Sequence, residues 1–243
     1  MKNGDRLPEE ALVQLVVSNG LSTTLICTPN HLPELVTGWL FTQGLVENIG
    51  DICSLQVCDS NIRVLVQVKQ NGAPAVVPSE ILTSSGCSGG RVLGSSFRID
   101  GYKCPSTLTV STARLVQAIS AMYDASSVDQ ELSGLHCAAV VPLDGVTEVI
   151  ADSDIGRHNA VDKVIGAALT KKLDCGQAVL TTSGRVSSDM VLKGIRAGIP
   201  VIATRRSVTT LAAELAAKAG IAVVARLSRG QPVIVGFTDR IIG

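Results

Sequence analysis

The sequence predicts an α/β protein, with a mostly parallel sheet covered on both faces in the C-terminal half and a smaller α+β unit before it. Three observations carry this expectation. From Ala178 onward, short apolar runs alternate with amphipathic stretches in β-α-β-α-β order, the pattern of a parallel sheet under helices. The first 70 residues instead show two pairs of short strand-like runs around one helical stretch. Between the two, from Gln70 to Ser111, no long periodic element is legible. A division into residues 1–110 and 111–243 follows.

Ala11–Val17 and Ser22–Cys27 flank Asn19-Gly20, the strongest short-range signal for a hairpin. A helix follows, with Asn30 as its expected cap and Pro33 in the first turn, where a missing N–H costs little. Leu32, Leu35, Val36, Trp39 and Leu40 lay one apolar stripe along it, and Gly44 marks its end. Ile52–Cys58 and Ile62–Val68 read as a second strand pair, with Cys53 and Cys58 in its core. Thr112–Tyr123 reads as a helix, and His136–Val141 and Val146–Ile150 as strands around Pro142-Leu143-Asp144-Gly145. Asp154 is the expected cap of a helix whose buried stripe is Val161, Val164, Ile165, Ala168 and Leu169. His158 and Asp162 stand four residues apart on its polar side, where the carboxylate can orient or charge the imidazole; a solvated helix face is the plainer alternative.

The strand Ala178–Leu180 runs into Thr181-Thr182-Ser183-Gly184-Arg185-Val186-Ser187-Ser188-Asp189. Ser187 suits an N-cap and Asp189 a first helical turn, while Gly198 fits the C-terminal cap and Pro200 blocks continuation. Such a strand–loop–helix start gathers free N–H groups, and Arg185 adds a fork for phosphate or carboxylate. A strand at Pro200–Ala203, a helix at Val208–Ala219 ending at Gly220, and strands at Ile221–Ala225 and Pro232–Gly236 complete the pattern. In open α/β sheets ligands bind beyond the carboxyl ends of strands. That rule puts Thr182 to Arg185, Thr204 to Ser207 and Arg226-Leu227-Ser228-Arg229-Gly230 on one rim, and three basic loops there suit a polyanionic small ligand, with a nucleotide as one candidate.

Composition removes several classes. Lys+Arg and Asp+Glu are both 21, so no polyanion-tracking surface is expected, and with one Trp, two Tyr and three Phe there is no base-stacking platform; nucleic acid is not an expected partner. No apolar run approaches the roughly 18 residues of a membrane span. Seven scattered cysteines in a chain whose N-terminus lacks the shape of a signal peptide suggest reduced thiols in the cytoplasm. The three histidines lie far apart, and no C-x-x-C spacing occurs, so no metal site is expected. His136-Cys137-Ala138 sits where a zinc deaminase would carry His-x-Glu, but the glutamate is absent. Neither a Walker A motif nor G-x-G-x-x-G is present.

Within the aperiodic stretch, Thr83-Ser84-Ser85-Gly86-Cys87-Ser88-Gly89-Gly90-Arg91 sets a lone cysteine among small residues. The glycines let backbone N–H groups approach an anion, and Arg91 favours a thiolate; the alternative is a linker whose cysteine is incidental.

Together these motifs resemble the FdhD family of formate dehydrogenase accessory sulfurtransferases. The segments that carry the resemblance are Cys27-Thr28-Pro29 with the helix to Gly44, Asp154 to Lys163, Thr182 to Met190, and Ala197-Gly198-Ile199-Pro200; Gly134-Leu135-His136 and the run to Arg229-Gly230 also fit. The resemblance spans nearly the whole chain. It implies a cytidine-deaminase-like three-layer α/β/α C-terminal domain without zinc, a smaller N-terminal domain, and a homodimer. It also implies a sulfur carrier that accepts persulfide sulfur from a cysteine desulfurase. Delivery would be to the molybdenum bis-guanine dinucleotide cofactor of formate dehydrogenase, with no cofactor permanently bound.

The family commonly has C-x-x-C in its loop, whereas Gly86-Cys87-Ser88-Gly89-Gly90 holds one cysteine. Either Cys87 alone carries the sulfur, or the chain is a cofactor-binding chaperone without transfer; a single thiolate suffices chemically. Cys104, 17 residues on, reads as structural. The resemblance maps the guanine-dinucleotide site to the loop Leu227–Pro232. The expected cofactor-holding residues are accordingly Ser183, Gly184, Arg185, Arg226, Leu227, Ser228, Arg229, Gly230, Gln231 and Pro232. Arg157, His158 and Asp162 are auxiliary candidates for orienting polar groups or moving a proton. A divergent deaminase-fold hydrolase is the remaining alternative.

Overall fold

A computed structural model describes residues 7–58, 62–69, 82–83, 91–92, 102–126, 134–227 and 231–243. Strands β1 (Ala11–Val17) and β2 (Ser22–Cys27) form the expected hairpin. Its turn works because Gly20 adopts φ +93°, and the Leu21 N–H donates to Asn19 Oδ1 at 3.2 Å. Helix α1 (Leu32–Thr42) follows, then β3 (Ile52–Cys58) and β4 (Arg63–Val68). The sheet order is β2-β1-β4-β3, with β1 and β4 parallel. Alternation sends Val13, Leu15 and Val17 to one face, where they pack on the stripe Leu32, Leu35, Val36, Trp39 and Leu40 of α1. Two corrections arise here. The residue that caps α1 is His31, in a left-handed conformation, because Asn30 turns its side-chain oxygen to the buried Lys163 at 2.6 Å. Cys53 is exposed and Cys58 only half-buried, since β3 is an edge strand.

Strands β5 (Leu82–Thr83) and β6 (Arg91–Val92) pair antiparallel. The second half comprises β7 (Val110–Ser111), α2 (Thr112–Ser126), β8 (His136–Pro142), β9 (Ile150–Asp154), α3 (Arg157–Thr170), β10 (Ala178–Thr182), α4 (Ser188–Arg196), β11 (Val201–Thr204), α5 (Thr210–Ala219), β12 (Ala222–Ala225), β13 (Val233–Gly236) and β14 (Ile241–Ile242). The larger sheet runs β13-β12-β11-β10-β8-β9. In this sheet only β10, β11 and β12 pair in parallel; β8, β9 and β13 join by antiparallel pairing, so the sheet is mixed rather than mostly parallel. Helices α3, α4 and α5 cover one face through Val161, Val164, Met190, Ile195, Ala212 and Ala216. Helix α2 covers the other through Leu115 and Ile119, with Met122 beside them.

Three further boundaries differ from expectation. Val146 is 90% exposed and lies outside any strand, because the Asp144 carboxylate holds the N–H groups of Val146 and Thr147 in a turn, and β9 begins only at Ile150. Asp154 does not cap α3; Gly156 stands there, and Asp154 is spent on a buried ion pair with Lys163 at 2.9 Å. Helix α5 starts at Thr210 rather than Val208, because Val208 bridges in parallel to Val186.

The two halves meet where α1 crosses α3. A Cβ on Gly38 would fall 1.9 Å from the Asp162 carbonyl oxygen, and one on Gly166 would fall 2.0 Å from that of Glu34. Hydrogen in place of a side chain therefore sets how closely these helices approach. On the other side of the larger sheet's helices, the Tyr102 hydroxyl donates to the Ile195 carbonyl at 3.1 Å, and Cys104 is buried beside Gly198.

Candidate functional site

The carboxyl ends of β10, β11 and β12 share one edge of the sheet, and β8, being antiparallel, places its first residue, His136, at the same edge. The loops that follow β10 and β11 are built alike. Thr182 and Thr204 are buried at the two strand ends, and Ser187 and Thr209 stand at the two helix caps. Between them Val186 and Val208 pair, the Val186 N–H donating to the Ser207 carbonyl at 3.0 Å and the Thr209 N–H to the Val186 carbonyl at 3.1 Å. Thr204 Oγ1 donates to the Gly184 carbonyl at 2.7 Å and accepts the Arg206 N–H at 3.0 Å. The third loop is anchored by the Arg226 N–H, 2.9 Å from the Arg206 carbonyl, with Arg226 at φ +58°. These bonds fix the loop backbones at that edge.

The loops enclose a cavity of ≈ 730 Å³ lined by His136, Arg157, Ser183, Gly184, Arg185, Arg205, Arg206, Ser207 and Arg226. Five guanidiniums and no carboxylate face it among the described residues. Like charges so gathered repel one another, and an anion with several phosphates relieves that repulsion through forked hydrogen bonds. Arg157 enters from α3 because Gly184 has no side chain: a Cβ there would lie 2.9 Å from Arg157 Cβ and 3.0 Å from its Cδ. The Nε of Arg157 is buried and finds no acceptor among the described residues, a donor left over for something the cavity holds. Arg205 also lies over the Tyr123 ring, 5.8 Å from its centroid.

Ser183 is held at the cavity wall from both sides. Its N–H donates to the Cys137 carbonyl at 2.8 Å, and its Oγ accepts the Cys137 N–H at 2.9 Å and lies 3.4 Å from His136 Nδ1. Burial holds the His136 imidazole below the usual histidine range, and the positive charges of Arg157, Arg206 and His158 add to this; Asp154 opposes it.

Behind the cavity, His158 Nε2 pairs with Asp189 Oδ2, and Ser187 Oγ donates to Asp189 Oδ1. Burial alone would raise the Asp189 carboxyl. The hydrogen bond and charge of His158, helped by Ser187 and Lys193, outweigh it and hold the group well below the usual carboxylate range. This corrects the expected pairing of His158 with Asp162. Asp162 is buried and directed away, its carboxylate 2.7 Å from Lys193 Nζ and from Thr42 Oγ1. Spacing along α3 makes the two residues neighbours, but α4 gives each its own partner, Asp189 to His158 and Lys193 to Asp162, and Thr42 of α1 joins the second.

Of the expected site residues, Ser183, Gly184, Arg185, Arg226 and the auxiliary Arg157 line one cavity, together with the Arg205 to Ser207 rim. Leu227 does not; its side chain packs in the core with Val179, Val201 and Val224, as an apolar group beside buried strands should. Gln231 is exposed and Pro232 half-buried, and neither lines the cavity. Cys87, Ser228, Arg229 and Gly230 lie outside the described residues. His136 as a lining residue and Asp189 as the partner of His158 were not foreseen; a histidine opening a strand beside the rim was the available signal for the first. Among the described cysteines, burial, with Asp154 adding to it, pushes Cys27 up to about 12, and burial pushes Cys175 up to about 11 and also raises Cys137. These thiols stay protonated and are poor nucleophiles.

A mixed α/β sheet with an arginine-lined cavity at its carboxyl edge has the charge and shape that suit a polyanionic small molecule. The FdhD/NarQ family matches residues 8–242, and the chain belongs to it. It is 32% identical over 232 residues to the sulfur carrier protein FdhD of Geobacillus kaustophilus, covering 93% of this chain and 86% of that one. It is 30% identical over 242 residues to the protein of the same name from Staphylococcus aureus strain Newman, covering 98% and 90%. Its fold superposes with a TM-score of 0.75 on a Desulfotalea psychrophila chain assigned as a formate dehydrogenase accessory protein, at 22% identity over 100% of this chain and 95% of that one.

Proposed function

We propose that this protein is a sulfur carrier serving formate dehydrogenase. Cys87 accepts persulfide sulfur from a cysteine desulfurase, and the arginine-lined cavity holds the phosphates of the molybdenum bis-guanine dinucleotide that receives it. The cavity carries the reading: among the described residues five arginines, a buried Arg157 Nε without an acceptor and a glycine cradle fit a dinucleotide with several phosphates. Its relatives named as sulfur carriers support the transfer role. The thiolate of Cys87 attacks the terminal sulfur of the donor persulfide, forming the Cys87 S–S bond as the donor cysteine leaves as thiolate. The molybdenum cofactor is cargo, not a resident group.

The same reading takes residues 111–243 as a cytidine-deaminase-like domain, for which the helix-covered mixed sheet is the support, and residues 1–110 as its smaller partner. It takes the protein as a homodimer that works in the cytoplasm; among the described residues no helix is long and apolar enough to cross a membrane.

The test is intact-protein mass spectrometry after incubation with a cysteine desulfurase and cysteine. A gain of roughly 32 Da that vanishes in Cys87→Ala is expected of a single persulfide carrier. No gain, alongside retained binding of a guanine nucleotide, would leave a cofactor-holding chaperone instead. Cys53, which is exposed, is the control thiol.

A further inference from the structure

Among the described residues, His136 is the one lining group of the arginine cavity that can gain a proton near neutral pH, since the guanidiniums are already charged. From α3 it meets the charges of Arg157 and His158, from the β11–α5 loop that of Arg206, and from β9 that of Asp154. From β10 it meets the Ser183 hydroxyl. The carboxylate of Asp154 is already engaged: it pairs with Lys163 and accepts from the N–H groups of Thr28 and Gly156 and from Asn159 Nδ2. His158 is paired with Asp189. Among the described residues Asp154 is thus the one negative charge felt by His136, it is held by other partners, and an anion in the cavity would add a second.

We infer that His136 is a ligand-reading residue of this cavity, and that binding of a phosphate-type dianion there is coupled to uptake of one proton by its imidazole. The inference rests on the reading of the cavity as an anion site. In the free protein, Ser183 Oγ accepts the Cys137 N–H and can donate its own hydrogen to His136 Nδ1, 3.4 Å away. A proton taken from solvent onto Nδ1 reverses that bond. The imidazolium then donates to Ser183 Oγ, which still accepts from Cys137, and the hydroxyl hydrogen is released toward the bound anion. One proton thus adds a positive charge and a redirected donor, and discriminates dianions from monoanions of similar size.

The direction of the pH dependence follows. The proton is bound more tightly in the complex than in the free protein, so affinity is greatest at the acid side and falls as pH rises from the free imidazole's pKa to the complexed one. Across that window it falls up to about tenfold per pH unit. Sulfate is the first probe, because it stays dianionic through the whole range, and GDP is the second. The chain holds only three histidines, so the ring resonances of isotopically labelled protein can be assigned with single variants and followed by NMR against pH. Saturating sulfate is expected to move the His136 titration up by about one pH unit or more. His136→Gln is expected to bind sulfate several-fold more weakly with a flat pH profile. Sulfate and GDP that bind while the His136 titration stays in place would overturn the inference and leave the anion site standing. Failure of both to bind would remove the site and the inference with it.

Discussion

Lys193 on α4 lies with its Nζ 2.7 Å from both carboxylate oxygens of Asp162 on α3, and 3.1 Å from the Thr42 hydroxyl on α1. All three side chains are buried, so one ionic cluster fastens the N-terminal helix to the two helices that carry the cavity loops. A buried pair contributes little net stability when intact, but removing one partner strands a charge. Lys193→Met is therefore expected to cost about 3–5 kcal/mol, with part of the loss recovered in the double variant carrying Asp162→Leu. Urea unfolding followed by the single tryptophan, Trp39 in the α1 core, measures it.

The glycine crossing predicts a second, mechanically different loss. Gly38→Ala and Gly166→Ala each push a methyl group into backbone carbonyl, with no flexible side chain to yield. Each is expected to lower stability by about 1–3 kcal/mol or more. A midpoint unchanged from wild type in either variant would contradict the close packing of α1 on α3.

At the cavity, Arg206→Gln and Arg226→Gln remove single guanidiniums from exposed loop positions. Each is expected to weaken GDP binding by about tenfold, the worth of one charged hydrogen bond, without moving the unfolding midpoint. Calorimetric titration over a salt series should also show a shallower salt dependence than wild type. Gly184→Ala tests the cradle separately, because its Cβ meets the stem of Arg157 and must displace it.

Asp189 supplies a pH prediction. Its carboxyl is held below its unfolded value, so its contribution to stability is fully present above the unfolded pKa of about 3.9 and is lost as pH falls below that toward the folded value. The stability difference between wild type and Asp189→Asn should hence shrink as pH falls below about 3.9. A difference that grows on acidification would mean the carboxyl is not depressed.

Thiol chemistry should follow burial. At about pH 8, Cys27 and Cys175 are expected to resist alkylation in the folded protein, whereas the exposed Cys53 reacts. Peptide mass mapping before and after unfolding separates the two groups, and rapid labelling of Cys27 in the native state would refute its burial.

What the sequence determined by itself is the set of local backbone decisions. Asn19-Gly20, Ser187, Gly198 and Gly220 encode turn and cap geometry within a few residues, and the strands and helices they punctuate formed close to the expected bounds. The basic loops after β10, β11 and β12 were legible for the same reason: chain order alone puts them at one edge of a sheet. Partner choice was not legible, because a charged side chain pairs with whatever the packing brings beside it. His158 found Asp189 instead of Asp162, Asp154 turned to Lys163 instead of capping α3, and Leu227 sank into the core while His136 faced the arginines. The charge pairings depend on how α1, α3 and α4 stack, and two glycines 128 positions apart let α1 meet α3 backbone to backbone. Periodicity reports which face of an element is apolar. Only the tertiary structure decides which neighbour that face, and each buried charge behind it, will meet.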